Sequence, residues 1–239
     1  MSVKKSKDEI ELHKQSVIKN LDSFITHLIS ENEKSQKRAD LLCYWIDDYI
    51  KFLSKEPNFN PKKGRKYNRG DIVKVHLGYR IGSEEGGLHY CVVLDKDNAL
   101  SSPVVTVVPL TSAKSDTIIA DLPKSNVYLG NEIYNSLIIK VKTLLKSAKE
   151  LGNKTTEVST NEEKTELINR INQLEKFMSE IKKMKVGSIA LTNQIVTISK
   201  LRIYDPRSAD DILSGIKLSN TNLDKIDELI LCNFTNIKK

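Results

Sequence analysis

The stretch GDIVKVHLGYRIGSEEGGLHYCVVLDKDNALSSPVVTVVPLTS, residues 70–112, decides the fold. It holds three short runs rich in β-branched residues: DIVKVHL (71–77), HYCVVLD (89–95) and PVVTVVPL (103–110). Between them lie IGSEEGG (81–87) and KDNALSS (96–102), whose Gly, Asn, Asp and Ser residues favour turns. Short apolar runs separated by turn signals predict an antiparallel meander.

Working outward, a further apolar run, GSIALTNQIVTI (187–198), extends the β region. In LDKIDELILCNF (223–234), Leu223, Ile226, Leu229 and Ile230 share a helix face that Thr221 or Asn222 can cap. Between the two β regions, Leu137, Val141, Leu144 and Ala148 mark one helix. Leu167, Ile171, Leu174, Met178 and Ile181 mark a second, with the loop 152–161 between them. This predicts an inserted αα hairpin over 135–185 whose stripe packs on itself and leaves the β core unchanged. Upstream, residues 10–29 align Val17, Leu21, Phe24, Ile25, Leu28 and Ile29. Residues 39–53 align Leu42, Cys43, Ile46, Tyr49, Ile50 and Leu53. The pattern fits two amphipathic helices or one bent helix. The resulting division is a helical extension over 1–57, a basic linker over 58–69 and a β domain over 70–239 interrupted by the hairpin.

The chain has 239 residues and a formal charge of +7. The excess is local, at Lys62, Lys63, Arg65, Lys66 and Arg69 and in the lysine-rich segment before Val186. Such runs suit a polyanion, and they equally suit a solvated linker and helix face. No apolar stretch reaches the length of a membrane span, and MSVKKSKDEIE (1–11) lacks the apolar segment of a signal peptide, which predicts a cytoplasmic protein. Cys43, Cys91 and Cys232 are far apart in apolar runs, so they read as buried free thiols without metal or disulfide spacing. HxxxH, CxxC, GK[ST] and GxSxG patterns are absent, and no metal or cofactor is expected.

Two segments remain that could carry chemistry. One is the loop Gly82-Ser83-Glu84-Glu85-Gly86-Gly87 leading into His89; the other is the strand end Val107-Val108-Pro109-Leu110-Thr111-Ser112. A hairpin loop bearing acids and a histidine can face the hydroxyls of a neighbouring strand and gather proton-transfer groups in one cleft. An ordinary turn followed by a surface histidine has the same sequence.

Arg69-Gly70-Asp71-Ile72-Val73, Ile81 to Gly87, Val92-Val93-Leu94, Val107 to Ser112 and Asn193-Gln194-Ile195-Val196-Thr197-Ile198-Ser199-Lys200 together resemble the ordered landmarks of the PemK/MazF toxins. The resemblance covers about half of the chain. It implies an α+β fold: a small antiparallel SH3-like β barrel with a C-terminal helix, usually a homodimer neutralised by an antitoxin. It also implies metal-independent cleavage of single-stranded RNA at short sequences, by attack of a ribose 2′-hydroxyl on the adjacent phosphate.

On that resemblance Ser83 to Gly87 form a loop that helps close over RNA. His89 stands where many members carry a phosphate-binding arginine, and Arg80 can supply that charge instead. Thr111 is the hydroxyl after the strand, with Ser112 beside it, and Gln194 matches a family glutamine. His89, Thr111 and Ser112 are the expected catalytic groups; Arg80, Ser83, Glu84, Gly86, Gly87 and Gln194 are the expected RNA contacts. Asn193 replaces the usual acid and Val196 the usual arginine, departures that favour a non-catalytic module acting on a protein or nucleic-acid partner. A regulatory adaptor using the helical segments is a further alternative.

Overall fold

The β-branched runs are continuous rather than alternating because both faces of the sheet they form are covered. The computed structural model of the chain describes residues 5–114, 116–154, 160–183 and 187–236. β1 (Ile72–His76), β2 (Leu88–Val93) and β3 (Val104–Ser112) form the expected antiparallel meander. Along them the side chains sort by parity. Val73, Val75, Cys91, Val93, Val105 and Val107 point into one core with Tyr67, Leu77, Ile198 and Ile203. Ile72, Val92, Val108 and Leu110 point into a second.

Four short strands complete the sheet: β4 (Asn126–Gly130), β5 (Ser188–Leu191), β6 (Val196–Ser199) and β7 (Ile203–Asp205). The order is β4-β5-β3-β2-β1-β7, with β6 also on β3, and every pairing is antiparallel. β3 is the hinge of this α+β fold. Its first half pairs with β6 and its last three residues with β5, so the run 187–198 is two strands broken at the 3-10 turn Thr192–Gln194.

The inserted hairpin consists of α3 (Glu132–Lys154) and α4 (Asn161–Lys183). It is not self-contained. Ile133, Leu137, Phe177 and Ile181 belong to the same buried cluster as Ile72, Val92 and Val108. The face is rotated from the expected stripe, with Phe177 buried and Met178 half exposed. Polar contacts fasten the hairpin as well. Glu180 takes the Lys74 ammonium and accepts from the Tyr90 hydroxyl at 2.8 Å, while burial drives the Tyr90 phenol far above its ordinary pKa. Lys140 donates to the carbonyls of Asp211, Ile212 and Ser214 at 2.8, 3.0 and 2.8 Å, and its ammonium lies 5.2 Å from the Phe177 ring centre.

The C-terminal helix α5 (Asn220–Phe234) is capped by Ser219 rather than by Thr221 or Asn222. Asn222 is buried instead, donating to Leu129 O at 3.1 Å. The basic segment before β1 is not a free tether. Tyr67 is in the core and donates to Pro206 O at 2.8 Å, Arg65 donates to Ser214 Oγ at 2.8 Å, and Arg69 pairs with Asp227.

Contacts divide the chain into two units, Met1–Pro57 and Asn58–Lys239. The first consists of α1 (Lys7–Ser30) and α2 (Glu33–Lys55). Ser6 and Glu9 form a capping box at the start of α1, and Asn32 caps α2, which fixes two helices in place of one bent helix. Of the cysteines, Cys91 is buried, but Cys43 and Cys232 are exposed, contrary to expectation. No helix among the described residues is long and apolar enough to cross a membrane.

Candidate active site

The loop 81–87 is the connection between β1 and β2, and the backbone closes it tightly. Leu77 N donates to Gly87 O at 2.7 Å and Gly87 N to Gly78 O at 2.8 Å. Gly87 has φ +83°, a left-handed conformation costly for other residues. Gly86 is required for a different reason, since a Cβ there would sit 2.8 Å from Gly78 O and 3.0 Å from Arg80 Cγ.

His89, the second residue of β2, is held on both sides. Its Nδ1 lies 3.1 Å from Leu110 O, and because a carbonyl only accepts, that nitrogen carries the proton. Its Nε2 lies 2.9 Å from Glu85 Oε1, and each of the two side chains is 26% exposed.

Gln194, at the end of the 3-10 turn between β5 and β6, fastens the loop from the other side. Its Nε2 donates to Ser83 O at 3.2 Å, and its Oε1 accepts from Glu85 N at 3.3 Å. A polar chain thus runs from Ser83 through Gln194, Glu85 and His89 to Leu110. Arg80 lies at the near end of the loop, donating to Leu77 O at 2.9 Å, with its guanidinium 3.8 Å from the more exposed Glu84.

Thr111 is the residue after the Leu110 carbonyl that orients His89. The β2–β3 pairing runs from Val93 opposite Val107 to Cys91 opposite Pro109. Strand parity gives Thr111 the face of Val107, which is also the face of Cys91 and His89. Ser112 has the parity of Val108 and Leu110, is exposed, and stands opposite Ser188. Ser112 therefore takes the opposite face from Thr111, which stands across from Ile189 of β5.

Cys91 is also close, with Sγ 3.9 Å from His89 O, but it is no nucleophile. Burial, with the Glu85 carboxylate adding to it, pushes the thiol far above its ordinary pKa, and a thiol is reactive only as the thiolate. Among the described residues, no group of three or more His, Cys, Asp or Glu side chains is placed to hold a metal ion.

The pairing of Glu85 with His89 is what sequence reasoning missed, although Glu85 lay within the loop expected over RNA. Its signal was its position four residues before His89 across the Gly86-Gly87 turn, which returns the chain so that the two side chains meet. Glu84 was singled out in its place, but it faces Arg80 and is 58% exposed.

Residues 68–160 match the family model described as PemK-like, MazF-like toxin of type II toxin-antitoxin system. No curated protein matches the chain. The match runs from before β1 past the end of α3, so it includes the 81–87 loop, His89 and Thr111 but leaves Gln194 outside. Over residues 68–160, less than half of the chain, the protein is thus similar to the PemK-like, MazF-like toxin family.

Proposed function

We propose that the protein is the toxin of a type II pair and cleaves single-stranded RNA at short sequences, without a metal, by attack of a ribose 2′-hydroxyl on the adjacent phosphate. The observation that supports this most strongly is that the 81–87 loop folds back on His89, with Glu85 Oε1 2.9 Å from its Nε2, all within the family match. In-line attack needs a base for the 2′ proton, an acid for the leaving 5′ oxygen, and donors for the charge on the phosphorane. His89 is the group able to exchange a proton and face a phosphate oxygen. Thr111 supplies a hydroxyl donor, Arg80 a guanidinium at the loop's base, and Ser83 to Gly87 the cover over the substrate. Gln194 sets that cover's position. A homodimer and a neutralising antitoxin protein complete the proposal.

One observation favours a second reading, in which the domain binds a partner without cutting it. Both His89 nitrogens are engaged in the free protein, and the family's arginine and acid are Val196 and Asn193 here. The purified full chain incubated with a long unstructured RNA separates the two. The enzyme reading expects cleavage at short recurring sequences, unchanged by chelator and blocked by a 2′-deoxy substitution at the cut site. Intact RNA, with capture of a specific protein from the native cell, would support the binding reading instead.

A further inference from the structure

We propose that Glu85 is an internal phosphate mimic: in the free protein its carboxylate occupies the Nε2 face of His89 that an RNA phosphate must take, so binding requires Glu85 to be displaced. The inference rests on the proposed reading of His89 as the phosphate-facing residue. Three features of the loop carry it.

The first is that His89 has a single free valence for a ligand. Leu110 O holds Nδ1 at 3.1 Å inside the sheet, so only Nε2 points toward the loop, and Glu85 Oε1 stands 2.9 Å from it. The second is chemical likeness. A carboxylate offers anionic oxygen acceptors of the kind a phosphodiester offers, so both compete for one donor and repel each other within a few ångströms.

The third is that the mimic sits near the tip of a loop clamped at its base but lightly held at its end. The loop has glycines at positive φ at Gly82 and Gly87, and a Cβ at either would meet nothing within 4 Å. Its tip is held to the rest of the domain by Gln194 through bonds of 3.2 and 3.3 Å, long for hydrogen bonds. Glu85 N takes part in that fastening, so withdrawing the carboxylate and lifting the tip are one motion. Each partner keeps 26% of its side chain exposed, so a polyanion can approach the pair from solvent. The same carboxylate excludes weakly held anions from His89.

Two probes test this on the full-length protein. The first is a fluorescent single-stranded oligonucleotide made entirely of 2′-deoxynucleotides, which cannot be cleaved by 2′-hydroxyl attack. Glu85→Gln keeps the shape and the backbone donor while removing the charge. It should bind the oligonucleotide roughly 3- to 10-fold more tightly at low salt, and the gain should vanish in the Glu85→Gln/His89→Ala double variant. The second probe is inorganic phosphate, followed through the His89 imidazole signal by NMR. It should shift that signal at several-fold lower concentration in Glu85→Gln than in the natural protein. Unchanged or weaker binding of both probes by Glu85→Gln overturns the proposal. So does a gain that persists without His89. If the phosphate difference holds while RNA is never cut, the nuclease reading fails and the mimic stands.

Discussion

Replacing Phe177 with alanine tests whether the inserted hairpin is part of the β domain's core. The side chain is 3% exposed on α4 and lies in the cluster that includes Ile72, Val92, Val108 and the α5 residue Ile226. It also carries the ring over which the Lys140 ammonium sits. Truncating a buried Phe removes its transfer energy and leaves a cavity, typically about 3–5 kcal/mol. For a unit of this size, each kcal/mol lowers Tm by about 2–4 °C, so the expected drop is roughly 6–20 °C. Equilibrium urea unfolding followed by circular dichroism measures the change. Ile139→Ala and Ile168→Ala, on the same two helices but 64% and 56% exposed, should stay within about 0.5 kcal/mol of the natural protein. A Phe177→Ala variant as stable as these controls would refute the shared core and restore the hairpin as an appendage.

Other substitutions probe the site and its supports. His89→Ala should lower RNA cleavage by about 100- to 10,000-fold with no change in unfolding midpoint, and His89→Arg should retain part of the rate because it keeps a phosphate-facing donor; both are read by gel-resolved cleavage. Gly86→Ala forces a Cβ to within 2.8 Å of Gly78 O, so it should cost about 1–3 kcal/mol and reduce cleavage by displacing Glu85 and the loop tip. Asp205 has its carboxyl raised above its ordinary 3.8 by burial, although Leu213 N donates to it at 2.8 Å. The folded state then holds its proton more tightly than the unfolded chain, so the contribution is full below 3.8 and is lost as pH rises through the folded value. Asp205→Asn should therefore gain on the natural protein between pH 3.5 and pH 7 in parallel urea titrations, about neutral to slightly stabilising at the upper end; a gap that narrows with pH would contradict the assignment.

The central strands were legible because β-branched residues run without interruption between Gly- and Asn-rich turns, a pattern that burial on both faces demands. β4 and β7 were not, since NVYLG and IYD are too short for periodicity to register. The hairpin's two helices were legible from their stripes, but the side of α4 that is buried was not. Phe177 and Met178 are adjacent and both apolar, and only the sheet beneath decides which one turns inward. The same limit applied to the basic segment. Its charges were countable, but the long-range partners Ser214 and Asp227 of Arg65 and Arg69 were not. At the site, the positions of His89 and Thr111 were picked out through the turn and strand landmarks of the resemblance, whereas the pairing of Glu85 with His89 became visible only when the Gly86-Gly87 turn was seen to fold Glu85 back onto the imidazole.

The chemistry itself is tested most directly by the ends it leaves on RNA. A single-stranded oligoribonucleotide cut by the purified protein in the presence of chelator, and resolved by mass spectrometry, should yield a 2′,3′-cyclic phosphate on the upstream fragment and a free 5′-hydroxyl on the downstream one. A 5′-phosphate with a 3′-hydroxyl would mean that water or hydroxide, and not the neighbouring 2′-hydroxyl, attacks the phosphate, and would contradict the mechanism proposed for this protein.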